Sequence, residues 1–315
     1  MNTSSPPVRD CWFLTGPTAS GKTQIGLELA DLLAAEIVSL DSMAIYRGMD
    51  IGTAKPSLAE RQRIAHHMLD LIEPSEDYSL AQYVAAAEWA AFDITSRGKA
   101  ALFVGGTPLY LKSLLRGIFS GPPADWALRC QLQKIAEREG SEFLHARLAQ
   151  VDPRSAGRLH PRDTRRIIRA LEVWEKTGQS ISDLQQQFDR SRSSDQCRVF
   201  ALQWPRKELG RRIDQRVEAM FAAGFVEEVR QLVDRYSSLS RTASQAVGYK
   251  EVLEHLSGAR DLEDSRELVK LRTRQFAKRQ ETWFRSLSEC RTVDLNGTVD
   301  PRQIAIAISR EAPGE

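Results

Sequence analysis

Residues 16–23 read GPTASGKT and match the phosphate-binding pattern Gly-x-x-x-x-Gly-Lys-Ser/Thr along their whole length. The glycines allow the backbone to curl so that consecutive N–H groups point at one anion, and Lys22 adds a full positive charge. The Thr23 hydroxyl stands at the position that coordinates Mg²⁺ in such loops. A short apolar run, residues 11–15, precedes the loop, and residues 24–35 have helical spacing. The pattern therefore stands in the strand–loop–helix setting that a phosphate-binding loop requires.

The segments that follow the loop predict an α/β fold. Residues 37–40 and 101–104 are further short apolar runs, typical of buried strands. Between them, residues 79–96 have helical spacing, with Ser79 as the predicted N-cap. Because strands that alternate with helices favour a parallel sheet, we expect a P-loop NTPase-like parallel sheet flanked by helices.

The composition changes after Gly121, where two prolines follow. The sequence from residue 125 to about 187 is helical in pattern, strongly charged and without strand signals. We interpret residues 122–195 as an all-helical subdomain that is inserted into the α/β core. The core then consists of residues 11–121 and 196–315.

The second part of the core has its own predicted elements. Residues 197–202 resemble a strand, and a helix is expected from residue 206 to about 222. A long helix is predicted over residues 262–287. Apolar side chains recur on it every seven residues and are expected to form one buried stripe, namely Val269, Phe276 and Trp283.

Composition and charge exclude several classes of protein. The formal net charge is +2, so the global charge indicates no partner. The four cysteines lack the spacing of a metal site or a disulfide framework, which suits the reducing cytoplasm. Residues 1–10 are polar and rich in proline, which predicts a disordered N-terminus without the apolar segment of a secretion signal. No apolar run is long enough to span a membrane, so we expect a cytoplasmic protein.

Two further residues are predicted to lie beside the phosphate-binding loop. The usual ligand of such a loop is ATP, and the usual magnesium partner is a carboxylate at the end of a buried strand. Here the strand 101–104 ends in Gly-Gly-Thr107 without an acid, and Asp41 is the acid that stands at a strand end. Since ligands bind beyond the carboxyl ends of parallel strands, Asp41 and Thr107 should converge on the loop. Asp41 is then either a magnesium ligand or a general base.

Arginines are concentrated in the predicted insert. Six arginines and one acid occur within residues 154–169, whereas a solvated helix face usually mixes both signs. This excess favours the phosphate backbone of a nucleic acid as a partner. Arg212 and Arg216 lie four residues apart on a predicted helix, so they share one face and are expected to form a joint anion site.

The chain resembles the bacterial tRNA dimethylallyltransferases, also called tRNA isopentenyltransferases. The resemblance covers nearly the whole chain, and the stretch at residues 46–56, YRGMDIGTAKP, is far more specific than the loop alone. The other shared stretches are the loop 16–23, Asp41-Ser42, His66-His67, residues 105–110, 169–173, 247–250 and 273–280. Three positions depart from the usual pattern without removing a charge or hydroxyl that the reaction needs: Ala44, Pro108 and Trp126.

The resemblance implies an activity and its cofactors. Members of the family transfer dimethylallyl from its diphosphate to N6 of the adenosine beside the anticodon, so the loop would grip the diphosphate leaving group. The expected partners are dimethylallyl diphosphate and the anticodon stem-loop of tRNA, with Mg²⁺ bound through Thr23 and the protein as a monomer.

The resemblance also implies roles for individual residues. The catalytic residues would be Asp41 as the general base for adenine N6, Thr107 as a contact of the target nucleotide and Arg216 as a neutraliser of diphosphate. The diphosphate-binding set would be Gly16, Thr18, Ala19, Ser20, Gly21, Lys22, Thr23 and Arg212. The tRNA-binding set would be Asp41, Ser42, Met43, Ala44, Thr107, Arg129, Arg165, Arg166, Ile167, Ile168, Arg169, Gln245, Ala246, Val247, Gly248, Tyr249 and Lys250.

Three alternatives remain open at this point. An isopentenyltransferase that acts on free adenine nucleotides would share the loop and Asp41 but would not need the arginine-rich insert. A small-molecule P-loop kinase would transfer phosphate from ATP. A non-catalytic RNA-binding module would leave the loop and Asp41 without a purpose. His66 and His67 are expected to be structural, because adjacent residues do not share one helix face.

Overall fold

The computed structural model describes Val8 and residues 10–119, 121–185 and 192–311 of the chain. It forms two compact units, of which the first combines Met1–Leu115 with Ser191–Glu315 and the second is Arg116–Arg190. The sequence had placed the insert at 122–195, where the composition changes. In the structure the second unit begins earlier, since the helix Pro108–Arg116 ends at the boundary.

The first unit is built on a six-stranded, entirely parallel sheet in the order β3-β2-β4-β1-β5-β6. Parallel central strands are covered on both faces, which explains why the four residues of β1 are all buried. The strands are β1 (Trp12–Thr15), β2 (Ala35–Ser39), β3 (His66–His67), β4 (Ala100–Val104), β5 (Val199–Gln203) and β6 (Arg291–Asp294).

Helices surround this sheet. The ten helices that lie in the first unit or end at its boundary are α1 (Lys22–Leu32), α2 (Leu58–Arg63), α3 (Leu80–Ser96), α4 (Pro108–Arg116), α10 (Arg206–Ala222), α11 (Phe225–Arg235), α12 (Arg241–Ser244), α13 (Tyr249–Leu256), α14 (Leu262–Arg285) and α15 (Pro301–Arg310). Ser79 caps α3 as predicted, because its hydroxyl accepts from the N–H of Gln82 while the Gln82 side chain accepts from the N–H of Ser79.

The second unit is all helical, as its charged and strand-free sequence predicted. Its described helices are α5 (Trp126–Glu139), α6 (Ser141–Val151), α7 (Pro153–Arg158), α8 (Thr164–Thr177) and α9 (Ile181–Leu184). The core between them is aliphatic and includes Leu132, Leu144, Leu148, Ile167 and Leu171.

The stripe predicted on α14 is wrong in part. Phe276 is 36% exposed, whereas Val269 and Phe284 are buried together with Ala277 and Gln280. A spacing of seven drifts by about 20° per repeat on a straight helix, so Phe276 and Trp283 turn away from a face that starts at Val269.

The predicted N-terminal segment lies outside the described residues except for Val8 and Asp10. Val8 is fully buried, and its carbonyl accepts a hydrogen bond from the N–H of Cys11. Within the described ranges, no helix is both long enough and apolar enough to cross a membrane.

Candidate active site

The phosphate-binding loop runs from the end of β1 to the start of α1, and two of its glycines are needed for different reasons. Gly16 has φ 142°, and a Cβ there would lie 2.8 Å from the carbonyl oxygen of Leu202 on β5. Gly21 has φ 92°, in the left-handed region that a residue with a side chain rarely adopts. The helix begins at the next residue, so its N-terminal N–H groups open onto the loop.

The ammonium of Lys22 is hydrogen-bonded to the backbone of the phosphate-binding loop itself. It donates a 2.6 Å hydrogen bond to the carbonyl of Pro17. Burial and, to a smaller extent, the nearby Arg216 lower the pKa of Lys22 to about 7, although the carboxylate of Asp41 acts in the opposite direction. The site therefore has an excess of positive charge that an anion would relieve.

Arg212 and Arg216 lie on one face of α10 and reach the loop from the side of β5. Arg212 donates from Nε to the carbonyl of Ala19 at 2.9 Å, and its guanidinium lies 4.4 Å above the Trp204 ring. The Trp204 indole N–H donates to the carbonyl of Ser20 at 3.0 Å, so two side chains brace the loop backbone.

Unlike Arg212, Arg216 has no hydrogen-bond partner among the described residues. Burial lowers the pKa of its guanidinium, and the charge of Asp41 acts in the opposite direction. Across the described ranges Arg216 makes no hydrogen bond or ion pair. Arg212 contacts the loop and Arg216 lies near Lys22, so the joint anion site that their spacing indicates stays a prediction.

Asp41 and Thr107 meet at the ends of β2 and β4. The Thr107 N–H donates to the carbonyl of Leu40 at 3.1 Å, and the Ser42 N–H donates to the Thr107 hydroxyl at 3.1 Å. One carboxylate oxygen of Asp41 accepts from the N–H of Met43 at 2.8 Å. A Cβ on Gly106 would lie 3.3 Å from the carbonyl oxygen of Gly16 and 3.6 Å from the Lys22 ammonium. Since Thr107 also bonds to Leu40, the residue before Asp41, the loop and the strand end line one crevice.

Some polar groups of the remaining loop residues are hydrogen-bonded within the protein, and others could bind a ligand. The backbone N–H of Thr18 is committed to the side chain of Gln280 at 2.9 Å. The hydroxyl of Ser20 is buried and has no hydrogen-bond partner among the described residues, which marks a polar atom that suits a bound ligand. Thr23 lies in the first turn of α1 and is half-buried.

The crevice suits a magnesium ion that arrives with a phosphate group. Over the described parts of the chain, no cluster of three or more His, Cys, Asp or Glu side chains could hold a metal ion. Mg²⁺ keeps several waters and is usually bound by one or two protein oxygens together with substrate phosphates. The Thr23 hydroxyl and Asp41 are residues of this kind, so they fit such an ion.

Two residues that the sequence did not single out complete the site. Gln280 on α14 contacts both the phosphate-binding loop and the carbonyl of Gly106. Tyr110 on α4 stacks on Tyr83 with ring centroids 3.7 Å apart. Burial raises the pKa of both hydroxyls, and the charge of Asp41 adds to that effect. Gln280 belongs to the resembling stretch 273–280, which was the available signal.

The predicted tRNA contacts of the first unit are only partly accessible. Gln245 and Lys250 are exposed, whereas Ala246, Gly248 and Tyr249 are buried. Ala44 is also buried, while Ser42, Met43 and Val247 are half-buried. Buried side chains of this set support the fold around exposed neighbours.

The stretch 46–56 that dominates the resemblance is held by charged side chains, of which Lys55 is buried. The ammonium of Lys55 is 1% exposed and bonds to the carbonyl of Tyr46 and to Asp50 and Asp70. The carboxylate of Glu228 accepts from three consecutive backbone N–H groups, residues 50–52, and from the Tyr249 hydroxyl at 2.6 Å. Hydrogen bonds and ion pairs thus tie the stretch to α11 and to Asp70.

The predicted tRNA contacts of the second unit fall into three groups. Arg129 and Arg169 both bind the fully buried Glu172, and Arg129 does so through two hydrogen bonds. The side chains of Ile167 and Ile168 belong to the core of the unit and are not presented at its surface. Arg165 and Arg166 are exposed, and Arg166 lies 3.4 Å from Asp163.

His66 and His67 form the edge strand β3. The His67 ring nitrogen lies 2.7 Å from the carboxylate of Glu36, which Arg97 and Lys99 also contact. A ring nitrogen of His66 lies 2.7 Å from the carbonyl oxygen of Ile64, so both histidines make contacts within the fold, in a strand and not in a helix.

A model of the IPP transferase family matches residues 44–287. The chain belongs to the IPP transferase family. Among curated relatives of this family, the tRNA dimethylallyltransferase of Rhodopirellula baltica is 48% identical over 91% of this chain and 88% of its own length. The tRNA dimethylallyltransferase of Pelotomaculum thermopropionicum is 44% identical over 96% of both chains.

Solved structures of the family have the same fold. The tRNA isopentenylpyrophosphate transferase of Bacillus halodurans is 34% identical, with a TM-score of 0.68 over 96% of each chain. A eukaryotic dimethylallyltransferase acting on tRNA is 29% identical, with a TM-score of 0.73 over 91% of this chain and 74% of its own.

Proposed function

We propose that this IPP transferase family member transfers the dimethylallyl group of dimethylallyl diphosphate to N6 of the adenosine 3′ of the anticodon, position 37, and releases diphosphate. The observation that carries the proposal is the convergence of Lys22, Arg216 and Asp41 on one crevice, while β4 ends in two glycines and Thr107 without a carboxylate. Two cations for a leaving anion and one base beside it suit prenyl transfer better than phosphoryl transfer.

The proposed step forms one bond and breaks one. N6 of adenine attacks C1 of the dimethylallyl group as the bond between C1 and the diphosphate oxygen breaks, and the bonding electrons leave with the diphosphate. The N6 proton passes to Asp41, which is needed because the amine lone pair is delocalised into the ring. Lys22 and Arg216 neutralise the charge that grows on the diphosphate.

The loop and Thr107 orient the two reactants. The loop N–H groups, the Ser20 hydroxyl and Arg212 would bind the diphosphate oxygens. The Thr107 hydroxyl accepts from the Ser42 N–H at 3.1 Å and donates a long hydrogen bond, 3.5 Å, to the Ser42 hydroxyl. It would exchange that long bond for one to the target adenosine. A magnesium ion on the Thr23 hydroxyl would supply further positive charge to the leaving diphosphate.

The acceptor in this proposal is the anticodon stem-loop of tRNA. The exposed arginines Arg165 and Arg166, together with Gln245 and Lys250, would contact it. The target base is unstacked from the loop to reach Asp41, which costs a few kcal/mol and less than flipping from a duplex. We place the reaction in the cytoplasm and assign it to a monomer.

Incubation with labelled dimethylallyl diphosphate and unmodified tRNA tests the proposal. The expected result is label on N6 of the adenosine at position 37, with release of diphosphate. Label on free AMP but not on tRNA would instead identify an adenylate isopentenyltransferase. Phosphate transfer from ATP, without prenyl transfer, would identify a P-loop kinase.

A further inference from the structure

Gln280 joins two parts of the crevice that handle different reactants. It is 3% exposed and projects from α14. Its side-chain oxygen accepts from the N–H of Thr18 at 2.9 Å, and its side-chain nitrogen donates to the carbonyl of Gly106 at 2.5 Å. One planar amide therefore binds the phosphate-binding loop on one side and the turn before Thr107 on the other.

The turn formed by residues 105–107, called the acceptor turn here, is held by hydrogen bonds to Gln280 and to the neighbouring strands. The peptide between Gly106 and Thr107 is held at both ends, since its carbonyl bonds to Gln280 and its N–H to the carbonyl of Leu40. Leu40 directly precedes Asp41. A continuous chain of hydrogen bonds thus runs from Thr18 through Gln280 to the residues beside the base.

The side chain of Gln280 packs closely against the acceptor turn. A Cβ on residue 106 would lie 2.6 Å from the Gln280 side-chain nitrogen, and a Cβ on residue 105 would lie 2.2 Å from the carbonyl oxygen of Leu40. The ammonium of Lys22 lies within 3.6 Å of the same Cβ position at residue 106. Gln280 and the ammonium of Lys22 therefore both lie against the turn that carries Thr107.

We propose that Gln280 is a positioning residue that sets the separation between the diphosphate held by the loop and the adenosine held by Thr107 and Asp41. This inference rests on the proposed function. Gln280 touches neither reactant, and it acts by fixing the loop and the acceptor turn to each other. A misplacement of about 1 Å between reacting groups lowers the rate by up to about 100-fold.

Gln280→Met tests the proposal, because it keeps the length of the side chain and removes both hydrogen bonds. The expected result is a fall in kcat of about 10-fold to 100-fold with the tRNA dissociation constant changed by less than about twofold. In a Thr107→Ala background the same substitution should lose most of its effect, since residues that act through one another are not additive. Gln231→Met, at an exposed glutamine of α11, is the matched control and should leave kcat unchanged.

Gln280→Glu separates the two bonds and covers the case in which the methionine variant does not fold. A carboxylate can still accept from the Thr18 N–H, but it repels the carbonyl of Gly106. Activity relative to the parent protein should therefore recover as the pH falls and the carboxyl regains a proton to donate. A merely structural role predicts no such pH-dependent rescue.

Hydrogen exchange decides the proposal independently of the reaction. Gln280→Met should raise amide exchange both in peptides that cover residues 16–24 and in peptides that cover residues 104–110. Unchanged exchange in either segment, a kcat within twofold of the parent, or additive losses with Thr107→Ala would overturn the positioning role. If the parent protein fails to prenylate tRNA, the proposed function is wrong, and the exchange result still decides whether Gln280 links the two segments.

Discussion

The ammonium of Lys22 donates a 2.6 Å hydrogen bond to the carbonyl of Pro17 within the same loop. This hydrogen bond uses one N–H group of the ammonium, while burial and the nearby Arg216 disfavour its positive charge. A lysine with a pKa of about 7 is present in both the charged and the neutral form near neutral pH. The consequences for ligand binding can be measured directly.

We predict that Lys22 titrates near pH 7 and that diphosphate raises its pKa. The pKa is lowered from the ordinary value to about 7, so Lys22 is charged below pH 7 and loses its proton as the pH rises through 7. A bound anion favours the charged form and should move the titration upward. The pH dependence of labelling by a small acylating reagent, with peptide mapping, measures both values. Labelling of Lys22 that begins only near pH 10 without diphosphate would contradict the prediction.

We predict that Asp41→Asn lowers turnover by about 100-fold to 10,000-fold, the usual contribution of a general base. The amide keeps the size of the side chain but cannot take the N6 proton. Affinity for tRNA should stay within a few-fold of the parent, measured by filter binding beside single-turnover kinetics. If tRNA binding collapsed while turnover of the bound complex survived, Asp41 would be a tRNA contact and not the base.

Arg165 and Arg129 should respond differently to substitution, although both were predicted to bind tRNA. Arg165 is exposed, so Arg165→Ala should weaken tRNA binding and reduce the slope of log affinity against log salt by about 0.7 to 0.9. The thermal stability of the Arg165→Ala variant should equal that of the parent protein. Binding titrations at several salt concentrations test this, and an unchanged slope would exclude a phosphate contact.

Arg129→Ala should instead destabilise the second unit. Glu172 is fully buried, and the substitution removes two of its hydrogen bonds while Arg169 remains. We expect a loss of about 1–3 kcal/mol in the free energy of unfolding, the cost of leaving a buried polar group less satisfied. Denaturant titration provides the measurement. An unchanged midpoint together with weaker tRNA binding would restore the contact role that the sequence suggested.

Gly21→Ala should cost both stability and ligand affinity. A residue with a side chain at φ 92° is strained by about 1–2 kcal/mol, although the nearest atom to its Cβ, on Arg212, lies 3.5 Å away. Gly98→Ala is the matched control, since Gly98 has φ 75° in open space far along the chain. Both variants should lose comparable stability by thermal melting, but only Gly21→Ala should weaken diphosphate binding by calorimetry. Equal diphosphate binding by the two variants would contradict the role of Gly21.

The elements that the sequence predicted well are those with a single dominant pattern. The apolar run before the loop became β1, the helix over residues 206–222 was found with those bounds, and Asp41 stands at the end of β2. The edge strands β3 and β6 were missed. β3 has only two residues, both histidines, and β6 alternates half-buried residues, Arg291 and Val293, with exposed polar ones, so neither shows a buried apolar run.

The sequence singled out the loop, Asp41 and Thr107, but it did not indicate which residues hold them in place. Charge counting cannot tell which arginines are paired, and Arg129 and Arg169 proved to hold Glu172, an acid that lies just beyond the arginine-rich stretch. Gln280 lies 262 residues from Thr18 along the chain, so no local pattern indicates their contact. Such supports depend on tertiary packing, which only the structure contains.

The order of the strands also determines when the loop can be completed during synthesis. The first four strands to leave the ribosome form four adjacent strands of the six-stranded sheet, with β1 at its open edge until β5 arrives. Leu202, Trp204 and Arg212, which contact the loop, are made later still than the whole inserted unit. A nascent chain that ends before residue 199 carries the GPTASGKT sequence but none of these three supports. The enzyme's first-made motif is therefore among the last parts of the molecule to become a binding site.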